Sequence, residues 1–172
     1  LAIDTGRAGV WVSRQVDTPD LIDPSEVLLR DENTGEIKAT IRGFGSGLNH
    51  LEVGSDGALW VLDVGDDFRL TRLTGAVEDL DGYEETGAES AHHIRWSMAD
   101  HDVSVIAVNS VDGSVWIGGT YVDLTLHRLF GYIDKYTPEG ERLFRVYPEF
   151  FEQVSGIGIN TRDGSVWISD TR

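Results

Sequence analysis

Histidines and carboxylates with the chemistry for metal binding or proton transfer are concentrated in one short segment of the chain. Three of the five histidines lie there, and two aspartates flank the last of them: His92, His93 and His101, with Asp100 and Asp102. Histidine beside a carboxylate can ligate zinc or act as a general base. We therefore predict His92, His93 and His101 as candidate catalytic residues. Their spacing matches no zinc motif, and the alternative is an inserted surface strand or lid in which Trp96 packs on a neighbour.

Aspartates also recur where the second strand of a predicted hairpin ends. Asp63 and Asp170 each lie three residues after a tryptophan, and further aspartates occupy such loops: Asp17, Asp20, Asp23, Asp66, Asp67 and Asp123. Clustered carboxylates can hold Ca²⁺, which takes about six to eight oxygen ligands. The sequence thus indicates Asp63, Asp66, Asp67 and Asp170 as candidate metal ligands and Ca²⁺ as the candidate cofactor. The alternative is that each aspartate caps a turn by accepting backbone N–H bonds.

Charge and composition exclude several other classes of function. The chain has 30 Asp and Glu against 14 Lys and Arg, a formal net charge of −16. Because each phosphate contact needs a cation, nucleic acid is not an expected partner. Cysteine is absent, which removes disulfides and thiolate chemistry. No apolar run approaches the roughly 20 residues that cross a bilayer, so membrane insertion is not expected either.

The elements that must position these residues are indicated by an internal repeat. Four tryptophans about 50 residues apart, Trp11, Trp60, Trp116 and Trp167, each follow a short alternating run and a turn. Three of the turns contain Asp-Gly, at 56–57, 112–113 and 163–164. Asp-Gly supplies the positive φ that two-residue hairpin turns need, so each copy predicts a β-hairpin.

A second hairpin follows the first at a fixed offset. Residues 27–30 and 37–41 are joined by 33–36, and residues 132–136 and 143–146 are joined by 138–141. Four antiparallel strands in about 50 residues are typical of a β-propeller blade. A β-sandwich or open meander does not predict this fixed offset. We therefore predict an all-β chain with blades at 1–44, 45–82, 103–150 and 151–172 and an inserted loop at 83–102. That is about three and a half blades of a six- or seven-bladed ring, which missing blades or other chains would complete.

The hairpin sequences resemble those of a known group of propellers. DGALWVLD, DGSVWIGG and GIGINTRDGSVWISDT are similar to the repeats of the NHL, gluconolactonase/regucalcin and streptogramin-lyase superfamily. In regucalcin-like lactonases, an Asn or Asp before the glycine that opens a blade helps to hold the metal. Ser46 and Ser155 occupy the matching positions here, so these blades do not support a lactonase metal site. His50 and Glu152 lie in segments suitable for the catalytic His and Glu of the lyases.

Two hypotheses of function follow. The first is a noncatalytic extracellular or cell-surface binding module that recognises a protein or glycan through its loop face, in an extracellular or periplasmic compartment. Its candidate binding residues are Asn49, His50, Arg95, Trp96 and Glu152. The second is a divalent-metal-dependent hydrolase, lactonase or lyase that uses the histidines and aspartates named above. Four aromatic residues, Tyr132, Tyr136, Phe144 and Tyr147, could form a carbohydrate platform, although blade packing explains them more simply. Whether the chain is an enzyme stays open at this point.

Overall fold

A computed structural model of the chain describes residues 1–16, 25–45, 47–64, 69–82, 93–97 and 102–171. These residues form fourteen strands and one four-residue helix, and the strands build four antiparallel sheets. The predicted all-β class is confirmed. No helix among the described residues is long and apolar enough to cross a membrane. The chain divides into two compact units, residues 1–53 with 57–96 and residues 54–56 with 97–172.

The first unit contains two four-stranded meanders, in which the strands are neighbours in chain order. The first sheet consists of β1 (Ala2–Asp4), β2 (Gly9–Gln15), β3 (Ser25–Asp31) and β4 (Ile37–Phe44). The second consists of β5 (Leu48–Val53), β6 (Leu59–Asp63), β7 (Arg69–Leu73) and β8 (His93–Ser97), with α1 (Val77–Leu80) between the last two. Trp11 and Trp60 lie on the second strand of each sheet and are fully buried, as the alternating pattern predicts.

The second unit contains one four-stranded meander and one two-stranded hairpin. The meander consists of β9 (Asp102–Val108), β10 (Val115–Asp123), β11 (Arg128–Tyr136) and β12 (Arg142–Val146). The hairpin consists of β13 (Val154–Ile159) and β14 (Val166–Asp170). Trp116 on β10 packs edge-on against Phe144, with 5.4 Å between the ring centroids. Trp167 on β14 is 72% exposed, and no third strand of the described chain pairs with β14.

Strand β8 lies inside the segment 83–102, for which the sequence predicts an inserted loop with an inserted surface strand or lid as the alternative. The structure has a strand there, and it forms the outer strand of the second sheet. An outer strand has a partner on one side only, so its sequence needs less of the apolar alternation that identifies an inner strand. The second sheet therefore has four strands like the first and third, and a longer connection leads from its third strand to its fourth.

The hairpin turns are longer than expected. Gly57, Gly113 and Gly164 adopt positive φ values of 78°, 70° and 72°, as the Asp-Gly pairs predict. The prediction of two-residue turns is wrong, however, since the Asn109 N–H donates to the Ser114 carbonyl at 2.8 Å and four residues lie between them. Asn160 and Ser165 make the same bond at 2.8 Å. The Asn and Asp side chains that accept N–H groups within these turns stabilise the longer loop.

Candidate functional site

Several predicted site residues cannot be placed by the structure. His92, His101, Asp66 and Asp67 lie outside the described residues, as do Asp17, Asp20, Asp23 and Ser46. His93, Arg95 and Trp96 fall on β8 and Asn49 on β5, and the side chains of these four residues also lie outside the described part. The roles suggested for all of them stay predictions.

His50 lies on β5 with its imidazole on the same face of the strand as the Glu52 carboxylate. The His50 Nε2 atom is 3.7 Å from Glu52 Oε2, and both side chains are partly exposed. That separation is longer than a hydrogen bond. The pair therefore shows one histidine and one carboxylate near each other at the surface, without a third group that orients them among the described residues.

The described aspartates of the predicted metal set bind backbone N–H groups. Asp63 is buried, its Oδ2 accepts the Gly45 N–H at 2.8 Å, and it forms an ion pair of 3.1 Å with Arg69. Asp170 Oδ1 accepts the N–H groups of Glu152 and Gln153 at 3.0 and 2.9 Å. Both carboxylates accept backbone N–H groups, as the alternative to metal binding predicts, but from segments 17 or 18 residues away rather than from their own turns. Within the described part of the chain, no three His, Asp or Glu side chains are grouped closely enough to hold a metal, so the calcium prediction has no geometric support there.

Three of the four aromatic residues considered as a carbohydrate platform have structural roles instead. Tyr132 is fully buried, Phe144 contacts the Trp116 ring, and the Tyr136 hydroxyl donates to Asp134 at 3.1 Å. Burial and the Asp134 charge raise the pKa of Tyr136 to about 12. Tyr147, by contrast, is 46% exposed and lies beside an open cleft.

That cleft is formed by the outer half of the β10–β11 hairpin. Its lining consists of Tyr121, Asp123, Phe130 and Tyr147, and its volume is about 230 Å³. Tyr121 pairs directly with Phe130 across the hairpin, so both rings lie on one face. The Tyr121 and Tyr147 rings are 5.9 Å apart and tilted by 57°. We call this feature the aromatic cleft.

The cleft lies on the outer part of the β10–β11 hairpin, beyond the residues that pair with β9 and β12 in the described part of the chain. Strand β10 pairs with β9 only as far as Thr120, and β11 pairs with β12 only from Ile133 onward. Between those points, in the described part of the chain, β10 and β11 pair only with each other. Tyr121 and Phe130 lie on this stretch, and the end of a rigid sheet is a usual place for binding residues.

A buried ion pair fixes the strand that leads to Tyr147. Arg145 donates from Nε and Nη2 to the two oxygens of Asp134 at 2.6 and 2.5 Å, and Asp134 is completely buried. The Arg145 guanidinium also lies 4.9 Å from the centre of the Tyr132 ring. The Asp134 carboxylate raises the pKa of Arg145, with a smaller contribution from Tyr147. The ion pair thus joins the end of β12 to β11, two residues before Tyr147 of the aromatic cleft.

A second groove adjoins the aromatic cleft. Its volume is about 180 Å³, and its lining residues are Arg128, Leu129, Phe130, Glu149, Phe150, Phe151 and Glu152. Phe130 lines both features. The Gly131 N–H donates to the Phe151 carbonyl at 2.7 Å, which holds the 149–152 segment against β11. Glu152, predicted from sequence as a binding residue, therefore lies beside the hairpin.

The end of the hairpin exposes aliphatic side chains. Leu124 is 78% exposed, Leu126 59% and Leu129 50%, and Val122 is also exposed; we call these four residues the hairpin tip. The sequence analysis missed this surface. The available signal was the run Val-Asp-Leu-Thr-Leu-His-Arg-Leu at 122–129, which places leucines where a surface turn is usually polar.

Comparison with known proteins does not assign the chain to a family. No protein-family model matches it, and no curated protein matches its sequence at a significant level. The function must therefore be argued from the aromatic cleft, the flanking groove and the hairpin tip.

Proposed function

We propose that the chain is part of a β-propeller and acts as a noncatalytic extracellular or cell-surface module that binds a protein partner through the β10–β11 hairpin. The observation that carries the proposal is the apolar hairpin tip, in which Leu124 and Leu126 lie in the loop that follows Asp123 of the aromatic cleft. Val122 and Leu129 pair with each other on the opposite face of the hairpin from Tyr121 and Phe130. Clustered exposed apolar side chains are uncommon on monomeric soluble proteins and mark interaction sites. Their exposure in and beside the hairpin loop makes them accessible to a partner.

The repeat of the sheets supports the propeller. Three sheets have the same four-strand order, and the four repeat tryptophans all lie on a second strand. In each unit, side chains of consecutive sheets share one apolar core: Trp11 and Leu29 with Val61 and Leu73 in the first unit, and Val105 and Ile133 with Val154 in the second. Consecutive four-stranded sheets packed in chain order are the arrangement of propeller blades. The NHL-like hairpin sequences support the same proposal.

A protein fits the hairpin tip better than a glycan. Sugars offer many hydroxyl groups and are recognised by aromatic faces together with several polar groups, whereas the four tip side chains have no polar atoms. Protein interfaces place apolar side chains at a buried centre with a polar rim. The net charge of −16 favours a partner whose rim is basic.

The alternative, a metal-dependent hydrolase, lactonase or lyase, has less support from the described residues. Asp63 and Asp170, two of its proposed ligands, are engaged with backbone N–H groups, and Asp63 also with Arg69. Ca²⁺ would have to displace those contacts. The binding module requires no such rearrangement.

The double substitution Leu124→Asp with Leu126→Asp tests the proposal. Peptides selected from a random displayed library on the wild-type chain should bind the double variant at least roughly tenfold more weakly, because two carboxylates replace the apolar contact. Val111→Asp is the matched control, since Val111 is 64% exposed in the turn at the other end of β10. It should bind the peptides as the wild type does. Circular dichroism checks that all three chains are folded.

Three outcomes would contradict the proposal. In the first, no peptide is selected on the wild-type chain. In the second, the control and the double variant weaken peptide binding equally. In the third, the chain binds soluble polysaccharides and no peptides. The last result would assign the surface to a glycan.

A further inference from the structure

We propose that the aromatic cleft binds a methylated ammonium group on a side chain of the protein partner. This inference rests on the proposed function, because the hairpin tip beside the cleft makes the surrounding surface one for a macromolecule. Three aromatic rings and one carboxylate line the cleft. An organic cation is attracted to the faces of aromatic rings, and several rings around one cation form the cage that recognises quaternary ammonium groups.

The dimensions of the cleft suit a small cation. Its volume of about 230 Å³ exceeds that of a trimethylammonium group and its adjoining methylene. The Tyr121 and Tyr147 rings are tilted by 57° to each other, so they are not stacked face to face. Phe130, directly opposite Tyr121 in the hairpin, is the third ring of the lining. Asp123 supplies the only charge among the described residues that line the cleft.

The polar groups of the cleft favour a methylated cation over a bare ammonium. A lysine ammonium has three N–H donors, and each needs an acceptor when water is removed. Asp123 Oδ1 already accepts the N–H groups of Thr125 and Leu126 at 2.8 and 2.9 Å. The carboxylate therefore offers mainly Oδ2 to a ligand. A trimethylated ammonium has no N–H donor, keeps its charge, and presents methyl groups to the rings.

Phe130 already interacts with a cation. The Arg128 guanidinium lies 5.5 Å from the centre of the Phe130 ring. In the strand register, Arg128 lies directly opposite Asp123. Arg128 lines the neighbouring groove rather than the aromatic cleft. Its charge lowers the attraction that Asp123 and Phe130 exert on a second cation. Removal of that charge is therefore expected to strengthen ligand binding, a gain that loss of folding cannot imitate.

Calorimetric titration of the full chain with three small probes tests the inference. The probes are Nα-acetyl-Nε-trimethyllysine amide, its neutral isostere with carbon in place of the ammonium nitrogen, and the unmethylated lysine amide. We expect the trimethylated cation to bind at least roughly tenfold more tightly than either of the others. Equal binding of the neutral isostere would overturn the inference, since shape and apolar area alone would then explain it. Absence of binding by all three would also overturn it.

Four variants locate the site. Tyr121→Ala should weaken binding of the trimethylated probe roughly tenfold. Tyr121→Phe keeps the ring, so its affinity for the probe should lie within about twofold of the wild-type value. Asp123→Asn keeps a carbonyl for the turn but removes the charge, and should weaken binding roughly fivefold. Arg128→Gln should strengthen binding about two- to threefold. Weakening by Arg128→Gln, or equal effects of Tyr121→Phe and Tyr121→Ala, would contradict the cleft as the site.

Free choline distinguishes the source of the cation. Choline should bind more weakly than the trimethyllysine probe if a partner side chain is the ligand, and tighter binding of choline would overturn that assignment. The library experiment separates this inference from the proposed function. Its peptides are genetically encoded and contain no methylated lysine, so their need for Leu124 and Leu126 tests the protein-binding role alone. A wild-type chain that binds such peptides but does not prefer the trimethyllysine probe over its neutral isostere would support the protein-binding role and overturn the cation site.

Discussion

Gly119→Ala should destabilise the third sheet by about 3 kcal/mol. Gly119 lies on β10 at an irregularity in the pairing with β9. A Cβ atom at this position would lie 1.9 Å from the Asp102 carbonyl oxygen and 3.0 Å from Tyr132 Cε1. Both obstacles belong to the packed sheet, since one is backbone and the other is a fully buried ring. The strands must therefore separate, and the hydrogen bonds between β9 and β10 must weaken.

Hydrogen exchange measured on peptides covering β9 and β10 reports this change directly. Because exchange is measured peptide by peptide, it reports the stability of each compact unit individually. Faster exchange is expected across 102–120. The matched control is Gly158→Ala on β13, because a Cβ there meets nothing within 4 Å. The control should change the free energy of opening by less than about 1 kcal/mol. Similar exchange in the two variants would show that the close approach of β9 and β10 is absent in solution.

The same substitution also tests how the sheet positions the cleft. Tyr121 follows Gly119 by two residues on β10, just past the last residue paired with β9. Movement of β10 away from β9 would change the distance between the Tyr121 and Tyr147 rings, now 5.9 Å. We therefore expect Gly119→Ala to weaken binding of the trimethyllysine probe as well, although residue 119 does not line the cleft.

The hairpins could be predicted from sequence because their signals are local. Trp60 and Trp116 follow alternating apolar runs, and Gly57 and Gly113 fix the φ of the turns, so each hairpin is encoded within about 20 residues. The length of the turns could not be predicted in this way. Asn109 and Asp112 each accept an N–H within the loop, which stabilises four residues where Asp-Gly alone suggests two.

The candidate site could not be predicted because it depends on which segments the fold brings together. Whether an aspartate binds metal or a turn depends on the backbone near it, and Asp63 and Asp170 turn out to hold the segments that precede their own sheets. The aromatic cleft likewise combines residues of β10 and β11 with Tyr147, which follows β12. Which segments the fold brings together is a tertiary property. In sequence, Tyr121 and Phe130 are indistinguishable from the aromatic residues of the core.

The carboxylate of Asp4 is the centre of a buried hydrogen-bond network in the first unit. Its Oδ2 accepts from Arg7 Nη1 at 2.7 Å and from Trp11 Nε1 at 2.9 Å, and its Oδ1 accepts the Arg7 N–H at 3.0 Å. Arg7 donates in turn to the carbonyls of Gly57 and Gly75 at 2.7 and 2.6 Å. Asp4 thereby connects β1 of the first sheet to two turns of the second.

Asp4→Asn should destabilise the first unit by about 3 kcal/mol. The amide has one oxygen, so its NH₂ group must face at least one of the donors from Arg7 and Trp11. Asp81→Asn is the matched control, because Asp81 is exposed and its Oδ1 accepts only the Thr40 N–H at 3.0 Å in the described part of the chain, a bond that an amide oxygen can keep. Hydrogen exchange of β1 and β2 should accelerate in Asp4→Asn and stay near the wild-type rate in the control.

The pH dependence of stability, compared between the wild type and Asp4→Asn, shows whether the charge of the Asp4 carboxylate stabilises the fold. Burial alone would raise the pKa of Asp4, but the hydrogen bonds from Trp11 and Arg7 outweigh it and hold the pKa below the ordinary 3.8. A carboxyl whose pKa is lower in the folded state stabilises the fold above about pH 4, and that stabilisation is lost as the pH falls through the folded pKa. The free energy of opening of β1 and β2 should therefore decrease more steeply below pH 4 in the wild type than in Asp4→Asn. Equal slopes would mean that Asp4 acts through its shape and neutral hydrogen bonds, and that the ion pair with Arg7 contributes nothing measurable.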